Sequence, residues 1–149
     1  MTDVNKFRHK ITVRVRFNEV DLLGVCNNAV YLVYFDEARF SYIKESGLIP
    51  EDGWFSDGRL FFMVRNEINY FDHARFYEEL NIYTRIEFIK NSSIGFEHLV
   101  ENAKTKKIIA EGKGVLVHVD PVTRKSSPLP DKYLAIVQEY EKEVEINRG

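Results

Sequence analysis

The segment 29–46 constrains the fold more than any other part of the chain. Its large and small apolar residues recur at spacings of three and four, the period of an α-helix: Tyr31, Tyr34, Phe35, Ala38 and Tyr42. The first two turns, AVYLVYF, are apolar nearly all the way round, and Gly47 supplies a stop signal. A helix of this kind is enclosed by other elements. The rest of the chain must therefore supply the elements that cover it.

Five strands are predicted around this helix. The segment 10–17, KITVRVRF, alternates apolar and polar residues, and so does 79–90, where Leu80, Ile82 and Thr84 share one face. The remaining strands are predicted at 60–70, 93–102 and 107–120. Because the last three strands are joined by short breaks, they should form an antiparallel meander.

The order of elements predicts an α+β domain in which one helix and one sheet form two layers. A turn-rich exit follows the last strand, and 131–145 is predicted as a short terminal helix. Gly112 and Gly114 predict a bend in the last strand or a close approach by another backbone. At 149 residues the chain 1–149 fits a single domain. A single sheet on one helix leaves an edge strand and an apolar rim, so self-association is expected.

Composition excludes several classes of function. A net charge of -2 provides no positive field to attract nucleic acid. The N-terminus lacks the apolar core of a secretory signal and no apolar run is long enough to span a bilayer, so a cytoplasmic location is expected. One cysteine, Cys26, and four scattered histidines lack the spacing of a metal site. We expect no metal and no cofactor.

The chemistry is concentrated just before the helix. Glu19 and Asp21 lie in a predicted loop, Gly24 follows, and Asn27 or Asn28 is expected to be the N-cap. A helix N-terminus has unpaired N–H groups and about half a positive charge, so it can hold a carbonyl oxygen that gains negative charge during acyl transfer. A carboxylate on the preceding loop could reach the same carbonyl carbon, directly or through water.

These residues resemble the hotdog-fold acyl-CoA thioesterases, the family of 4-hydroxybenzoyl-CoA thioesterase and the Tol-Pal-associated thioesterase. The family pattern is matched by Phe17, Glu19, Asp21, Gly24, Asn27, Asn28, Tyr31 and the run Glu37-Ala38-Arg39. The likeness continues in order through 70–80, Ser92, Ser93 and 117–130. It implies a hotdog fold, in which an antiparallel five-stranded sheet wraps around one long central helix.

The resemblance also implies roles for individual residues. Asp21 becomes the nucleophile or general base, and the backbone N–H near Asn28 polarises the thioester carbonyl. Gly24 permits the close turn between them. The implied substrate contacts are Gly24, Asn27, Tyr31, Ser93, Arg124 and Lys125, of which the last two could hold CoA phosphates. The implied reaction is hydrolysis of a small or medium acyl-CoA by a homodimer or a dimer of dimers.

Some positions depart from the family pattern. Val25 and Asn28 stand where many relatives have His, His73 replaces a usual Pro, and Tyr77-Glu78 occupies a common Gly-Asp. These departures bear on substrate preference more than on reaction type.

Two other functions remain open. The substrate could be carried by an acyl carrier protein, or the chain could bind acyl-CoA without turnover. Enoyl hydration is disfavoured because no histidine lies in the motif. For Cys26 a buried position is favoured over a nucleophilic role, and for Glu19 an ordering role in the loop.

Overall fold

The structure, a computed structural model, describes residues 3–48 and 60–149 and has an α+β architecture. The strands are β1 (His9–Arg14), β2 (Leu60–Tyr70), β3 (Glu79–Ile89), β4 (Ser93–Asn102), β5 (Ile108–Val119) and β6 (Glu145–Ile146). The helices are α1 (Val30–Ser46) and α2 (Asp131–Tyr140), with single 3-10 turns at Val4–Lys6 and Phe17–Glu19. The sheet order is β1-β3-β4-β5-β2, with every neighbouring pair antiparallel.

The predicted meander of β3, β4 and β5 is confirmed, and the five predicted strands are found within a few residues of their expected bounds. The first strand is shorter than predicted, because the chain leaves the sheet after Arg14 and turns at Phe17–Glu19. The sheet is not purely antiparallel, since β6 adds two residues that pair in parallel with β3.

The terminal helix ends at Tyr140, so the prediction of a helix over 131–145 was wrong for residues 141–145. Glu141 follows the helix with an extended backbone and is buried. Its carboxylate accepts hydrogen bonds from the Tyr42 hydroxyl and, at 2.9 Å, from the Ile86 N–H. These hydrogen bonds hold Glu141 off the helix axis, and the following residues Glu145 and Ile146 pair with β3.

Helix α1 packs its aromatic face on the sheet. The buried residues of this face are Tyr31, Tyr34, Phe35, Ala38, Arg39 and Tyr42. At Gly112 the close approach is made by a side chain and not by the predicted backbone, because a Cβ there would lie 2.4 Å from the Phe35 ring. Full enclosure of α1 is not observed within one chain: Val33 is 57% exposed on the face away from the core. A single sheet covers only one side of a helix, so the second side stays open.

The two central strands carry two cross-strand polar pairs, which we call the β3–β4 polar pairs. Thr84 lies opposite His98 and Arg85 lies opposite Glu97 in the register of these strands. Because side chains alternate along a strand, the two pairs lie on opposite faces of the sheet. His98 is on the face of α1, where its ring stacks on Phe35 at a centroid distance of 4.3 Å.

Candidate active site

A tight hairpin at residues 19–27 leads the chain into α1, and we call it the 19–27 hairpin. The Asn27 N–H donates to the Glu19 carbonyl at 2.8 Å, and the Asp21 N–H donates to the Val25 carbonyl at 2.9 Å. The turn is closed by the Gly24 N–H, which donates to the Asp21 carbonyl at 3.0 Å. Gly24 has a φ of +75°, a conformation in which other residues are strained. The sequence places glycine where the turn requires it.

The second strand of the hairpin is held by the segment before β3. The Cys26 N–H donates to the Ala74 carbonyl at 2.7 Å, and the Phe76 N–H donates to the Gly24 carbonyl at 3.2 Å. Val25 forms an isolated antiparallel bridge with Arg75. The hairpin therefore forms a small three-stranded unit outside the main sheet, at the end where β3 begins.

Asp21 stands at the tip of the hairpin with an exposed side chain. Its Oδ1 accepts the Leu23 N–H at 2.8 Å, which fixes the direction of the carboxylate. No salt bridge to Asp21 is found within residues 3–48 and 60–149. The carboxylate thus has acceptor capacity left for a substrate or a water molecule.

Three successive backbone N–H groups lie between the hairpin and α1, and they differ in their partners. The Asn27 N–H donates to the Glu19 carbonyl, and the Ala29 N–H donates to the Asn27 side-chain oxygen at 3.0 Å. Between them, the Asn28 N–H makes no hydrogen bond to any residue that the structure describes. It is the donor that remains for a carbonyl oxygen at the positive end of the helix.

The expected N-cap was wrong in position. Ala29 is the N-cap residue and makes no side-chain cap, because a turn closed by the Val30 N–H and the Asn27 carbonyl at 2.9 Å precedes the helix. Asn27 instead caps that preceding turn, and the carbonyl of Asn28 accepts the Tyr70 hydroxyl at 3.0 Å. This shift leaves the Asn28 amide outside the first helical turn and free of an intrahelical partner.

Beneath the hairpin lies a buried group of polar aromatic and sulfur side chains. Burial raises the pKa of the Cys26 thiol, so a thiolate is disfavoured there. The Tyr34 hydroxyl donates to Glu19 Oε1 at 2.9 Å, and the Ala74 N–H donates to the Tyr31 hydroxyl at 3.4 Å. Burial also raises the pKa of both tyrosine hydroxyls. These groups therefore stay neutral and act as fixed hydrogen-bonding partners.

The remaining predicted contacts lie at the other end of the sheet. The Lys90 N–H donates to the Ser93 carbonyl where β3 gives way to β4, and Arg124 and Lys125 occupy the turn after β5. The carbonyl of Ser92, next to Ser93, accepts the His118 N–H at 2.7 Å and so joins the two loops. The length of β3 separates this end from the 19–27 hairpin by about 30 Å. One chain therefore does not bring the two groups of predicted residues together.

The two charged residues of the Glu37–Arg39 run have different surroundings. Glu37 is exposed, whereas Arg39 is buried and forms an ion pair with Asp36. Arg39 Nη1 also lies 3.4 Å from Nε2 of His98. Arg39 therefore lies on the buried face of the helix, and no ion pair joins it to Glu37.

Two features of the site were not predicted. One is the contact between Tyr34 and Glu19, which joins residues fifteen positions apart and has no local sequence pattern. The other is the backbone of Tyr77, with a φ of +70°. A signal for the second existed in the departure of Tyr77-Glu78 from the resembled family pattern, which has Gly-Asp there, because Gly adopts this conformation without strain.

Neither a membrane-crossing helix nor a metal-ligand cluster is found in the described parts of the chain. Within 3–48 and 60–149, no helix is long and apolar enough to cross a membrane. In the same ranges, no three or more His, Cys, Asp or Glu side chains are grouped so that they could hold a metal ion.

Comparison with known proteins gives the family. Residues 15–137 match the family model of the thioesterase-like superfamily. Acyl-CoA thioester hydrolase YbgC of Escherichia coli O6:H1 is 28% identical over 129 residues, covering 83% of this chain and 90% of its own length. The uncharacterized protein YsmA of Bacillus subtilis is 29% identical over 120 residues, covering 80% and 78%.

Solved structures agree with this assignment. A thioesterase from Thermus thermophilus, crystallised with coenzyme A and Zn, superposes with a TM-score of 0.79 at 30% identity, covering 93% of this chain and 98% of that one. Slr0204, a 1,4-dihydroxy-2-naphthoyl-CoA thioesterase from Synechocystis, has the same fold at 18% identity and a TM-score of 0.79, covering 88% and 96%. The chain belongs to the thioesterase-like superfamily, and its sheet and long helix form the hotdog fold.

Proposed function

We propose that this thioesterase hydrolyses small or medium acyl-CoA thioesters at the 19–27 hairpin, with Asp21 as the essential carboxylate and the Asn28 N–H as the donor to the carbonyl. The observation that carries the proposal is local. An exposed carboxylate without an ion pair in the described residues and an unpaired N–H at a helix start lie on one hydrogen-bonded unit. The Glu19 carbonyl accepts the N–H of the residue before Asn28. Asp21 lies two residues beyond Glu19, about 7 Å along the strand.

The chemistry follows from these two groups. The thioester oxygen accepts the Asn28 N–H, and the positive end of α1 stabilises the negative charge that develops on that oxygen. Asp21 either attacks the carbonyl carbon or takes a proton from a water molecule that attacks it. In the first route the carbon–sulfur bond breaks as an anhydride of Asp21 and the acyl group forms, and water then cleaves this anhydride and regenerates the Asp21 carboxylate. In the second route water adds to the carbonyl carbon and the carbon–sulfur bond breaks. In both routes water supplies the second carboxyl oxygen of the acid and the proton that converts the leaving thiolate to a thiol. The buried thiol of Cys26 has no part in either route.

A second copy of the chain is required to complete the site. Ser93, Arg124 and Lys125 lie about 30 Å from the hairpin within one chain, by the length of β3. A homodimer, alone or paired again into a tetramer, could place this end of one chain beside the hairpin of the other. Support comes from β2, which is a terminal strand of the sheet and exposes Phe62 and Val64.

The setting and the carrier of the acyl group are also part of the proposal. We place the enzyme in the cytoplasm, where acyl-CoA is available to it. An acyl carrier protein is the second candidate carrier, because the chain is 27% identical over 112 residues to the acyl-acyl carrier protein thioesterase ATL3 of Arabidopsis thaliana. This chain covers 58% of that protein, whereas it covers 90% of YbgC. The acyl-CoA proposal is therefore preferred.

The test is release of free thiol from a panel of acyl-CoA substrates, followed with a thiol-reactive chromophore. We expect Asp21→Asn to lower kcat by about 10²- to 10⁴-fold, since it removes the base or nucleophile and keeps the size of the side chain. The matched control is Asp3→Asn, because Asp3 also accepts the N–H two residues on, from Asn5 at 2.9 Å. Unchanged turnover in folded Asp21→Asn contradicts the assignment.

Two further measurements test the remaining parts. Light scattering is expected to give a dimer or tetramer at working concentration, and a monomer with full activity contradicts a shared site. Matched acyl-CoA and acyl-carrier-protein substrates are expected to give a higher kcat/KM for CoA. The reverse ranking assigns the carrier protein as the substrate.

A further inference from the structure

We propose that Glu19 is a positioning residue that, through its hydrogen bond with Tyr34, fixes the Asp21 carboxylate relative to the Asn28 N–H. This inference rests on the proposed function, because it concerns the geometry of the same site. Neither Glu19 nor Tyr34 needs to touch the substrate for this role.

The contact joins the two structural units that carry the site. Tyr34 is 3% exposed and lies on α1, and its hydroxyl donates to Glu19 Oε1 at 2.9 Å. The same carboxylate oxygen accepts the Arg16 N–H at 2.8 Å. One oxygen of Glu19 therefore ties the start of the hairpin both to its own turn and to the helix.

The main chain of Glu19 makes a second tie. Its carbonyl accepts the Asn27 N–H at 2.8 Å and closes the base of the hairpin. Asn27 directly precedes Asn28, and Asp21 lies two residues beyond Glu19. A shift of Glu19 would thus move the Asp21 carboxylate relative to the Asn28 N–H.

The other hydrogen bonds of the hairpin do not replace this tie. Its second strand is bound to Ala74 and Phe76, which precede β3. This second strand also reaches α1, because the Tyr31 hydroxyl accepts the Ala74 N–H at 3.4 Å and contacts the Cys26 thiol, whose Sγ also lies 3.9 Å from the Tyr34 hydroxyl. None of these contacts involves Glu19. Within the described residues, the Tyr34 hydroxyl is therefore the point at which the strand that carries Asp21 meets a polar side chain of α1.

The physical state of Tyr34 suits this role. Burial raises the pKa of its hydroxyl, and the nearby Cys26 and Glu19 add to the shift. The hydroxyl stays protonated and donates across the working pH range. An error of about 1 Å in the placement of reacting groups can cost about 10²-fold in rate, so loss of one such link has a measurable effect on turnover.

The test is a set of variants assayed on the best acyl-CoA substrate. Tyr34→Phe removes one hydroxyl and is expected to lower kcat by about 10- to 100-fold with KM within about twofold. Glu19→Ala is expected to do the same, and the double variant to be no slower than either single variant. Glu19→Gln keeps a carbonyl oxygen for both donors and is expected to restore kcat to within about threefold of wild type.

The matched control is Tyr83→Phe. The Tyr83 hydroxyl donates to Glu101 Oε1 at 3.0 Å on the main sheet, so the variant removes the same kind of hydrogen bond away from the hairpin. We expect it to leave kcat unchanged. Additive losses in the double variant, or wild-type kcat in Tyr34→Phe, overturn the proposal. A loss in Glu19→Gln as deep as in Glu19→Ala also overturns it, because the charge would then act in the chemistry.

A readout without turnover separates this proposal from the proposed function. Amide hydrogen exchange at Asn27 is expected to be at least about tenfold faster in Tyr34→Phe than in wild type, and unchanged in Tyr83→Phe. If wild type releases no thiol from any acyl-CoA, the proposed function fails, while faster exchange still upholds the tie between hairpin and helix. Unchanged exchange at Asn27 overturns the tie whatever the activity.

Discussion

The 19–27 hairpin and the β3–β4 polar pairs both carry ionisable side chains, but they differ in whether those groups already have partners within the chain. On the hairpin, the Asp21 carboxylate is exposed and is held by one backbone N–H. In the sheet, Arg85 and Glu97 have side chains 6% and 4% exposed and face each other at 2.9 Å. The first group is available to a ligand, and the second is already satisfied within the chain.

On the proposed assignment, the buried ionisable groups lie outside the site. The strongest perturbation among the histidines is at His98, whose pKa lies well below its usual value because the ring is buried and faces Arg39. That residue sits between the sheet and α1, with Thr84 on one ring nitrogen. Perturbed ionisation is a feature of the core here, whereas the proposed site consists of an exposed carboxylate and of an N–H without a partner among the described residues.

The comparison is tested most strongly at the buried ion pair. Glu97→Ala leaves the Arg85 guanidinium buried without its carboxylate partner, so we expect the free energy of unfolding to fall by about 3–5 kcal/mol. Urea denaturation measures this loss. Hydrolysis by the fraction that remains folded is expected to keep the wild-type KM, because the pair lies in the central sheet.

The control for this prediction is an exposed pair of the same chemistry. Arg14 and Glu79 form an ion pair between β1 and β3 with side chains 42% and 48% exposed. Glu79→Ala is expected to cost less than about 1 kcal/mol. Equal losses in the two variants would show that the buried pair is no more costly to break than a surface pair.

Acidic pH is expected to weaken the fold through His98. Arg39 can only donate, so Nε2 of His98 accepts and Nδ1 carries the hydrogen that binds Thr84. The neutral imidazole is therefore the folded form. Below a pH of about 6.5 the unfolded chain binds a proton that the folded chain does not, and stability falls by about 1.4 kcal/mol for each pH unit. Urea denaturation at several pH values measures the slope.

Two other buried groups change the stability in the same pH range, and their effects must be distinguished from that of His98. His9 also has a lowered pKa through burial and adds to the loss with the same sign. Glu141 has a raised pKa through burial, so its contribution is lost as the pH rises above about 4.5. The carbon resonance of the His98 ring provides the direct check, since it should show a neutral imidazole at a pH of about 5.5. Titration of that ring near its ordinary pKa would contradict the prediction.

The fold could be predicted from the sequence because its signals are local and periodic. The bounds of β2 and β4 agree with the predicted 60–70 and 93–102, β3 follows the alternation of apolar residues over 79–90, and α1 begins one residue from its predicted start. The parallel strand β6 could not be predicted, because two residues, Glu145 and Ile146, carry no period. The hydrogen bonds of the buried Glu141 depend on residues far away in the chain.

The candidate site was predictable only where its residues are neighbours in sequence. The turn at Gly24 and the loop position of Asp21 follow from the residue types between two short strands. The expected cap on Asn27 or Asn28 was wrong because the added turn before α1 depends on backbone geometry. The tie between Glu19 and Tyr34 is tertiary, and the distance of Arg124 from the hairpin follows from the length of β3.

The smallest expected effect comes from a pair of glycines, and it separates the site from the scaffold most directly. Gly24 and Gly47 both have positive φ, +75° and +88°, and an added Cβ would meet nothing within 4 Å at either. Alanine at either position is therefore strained by its backbone alone, and we expect each variant to lose about 1–2 kcal/mol of stability. Urea denaturation measures both losses.

Turnover is where the two glycines should differ. Gly24→Ala strains the turn that carries Asp21 and is expected to lower kcat by about tenfold. Gly47→Ala strains only the end of α1, where the Gly47 N–H donates to the Lys44 carbonyl, and should leave kcat unchanged. Because asparagine adopts the left-handed conformation at low cost, Gly24→Asn should recover both stability and turnover. Equal kcat in the two alanine variants would mean that the geometry of the hairpin turn does not limit the reaction.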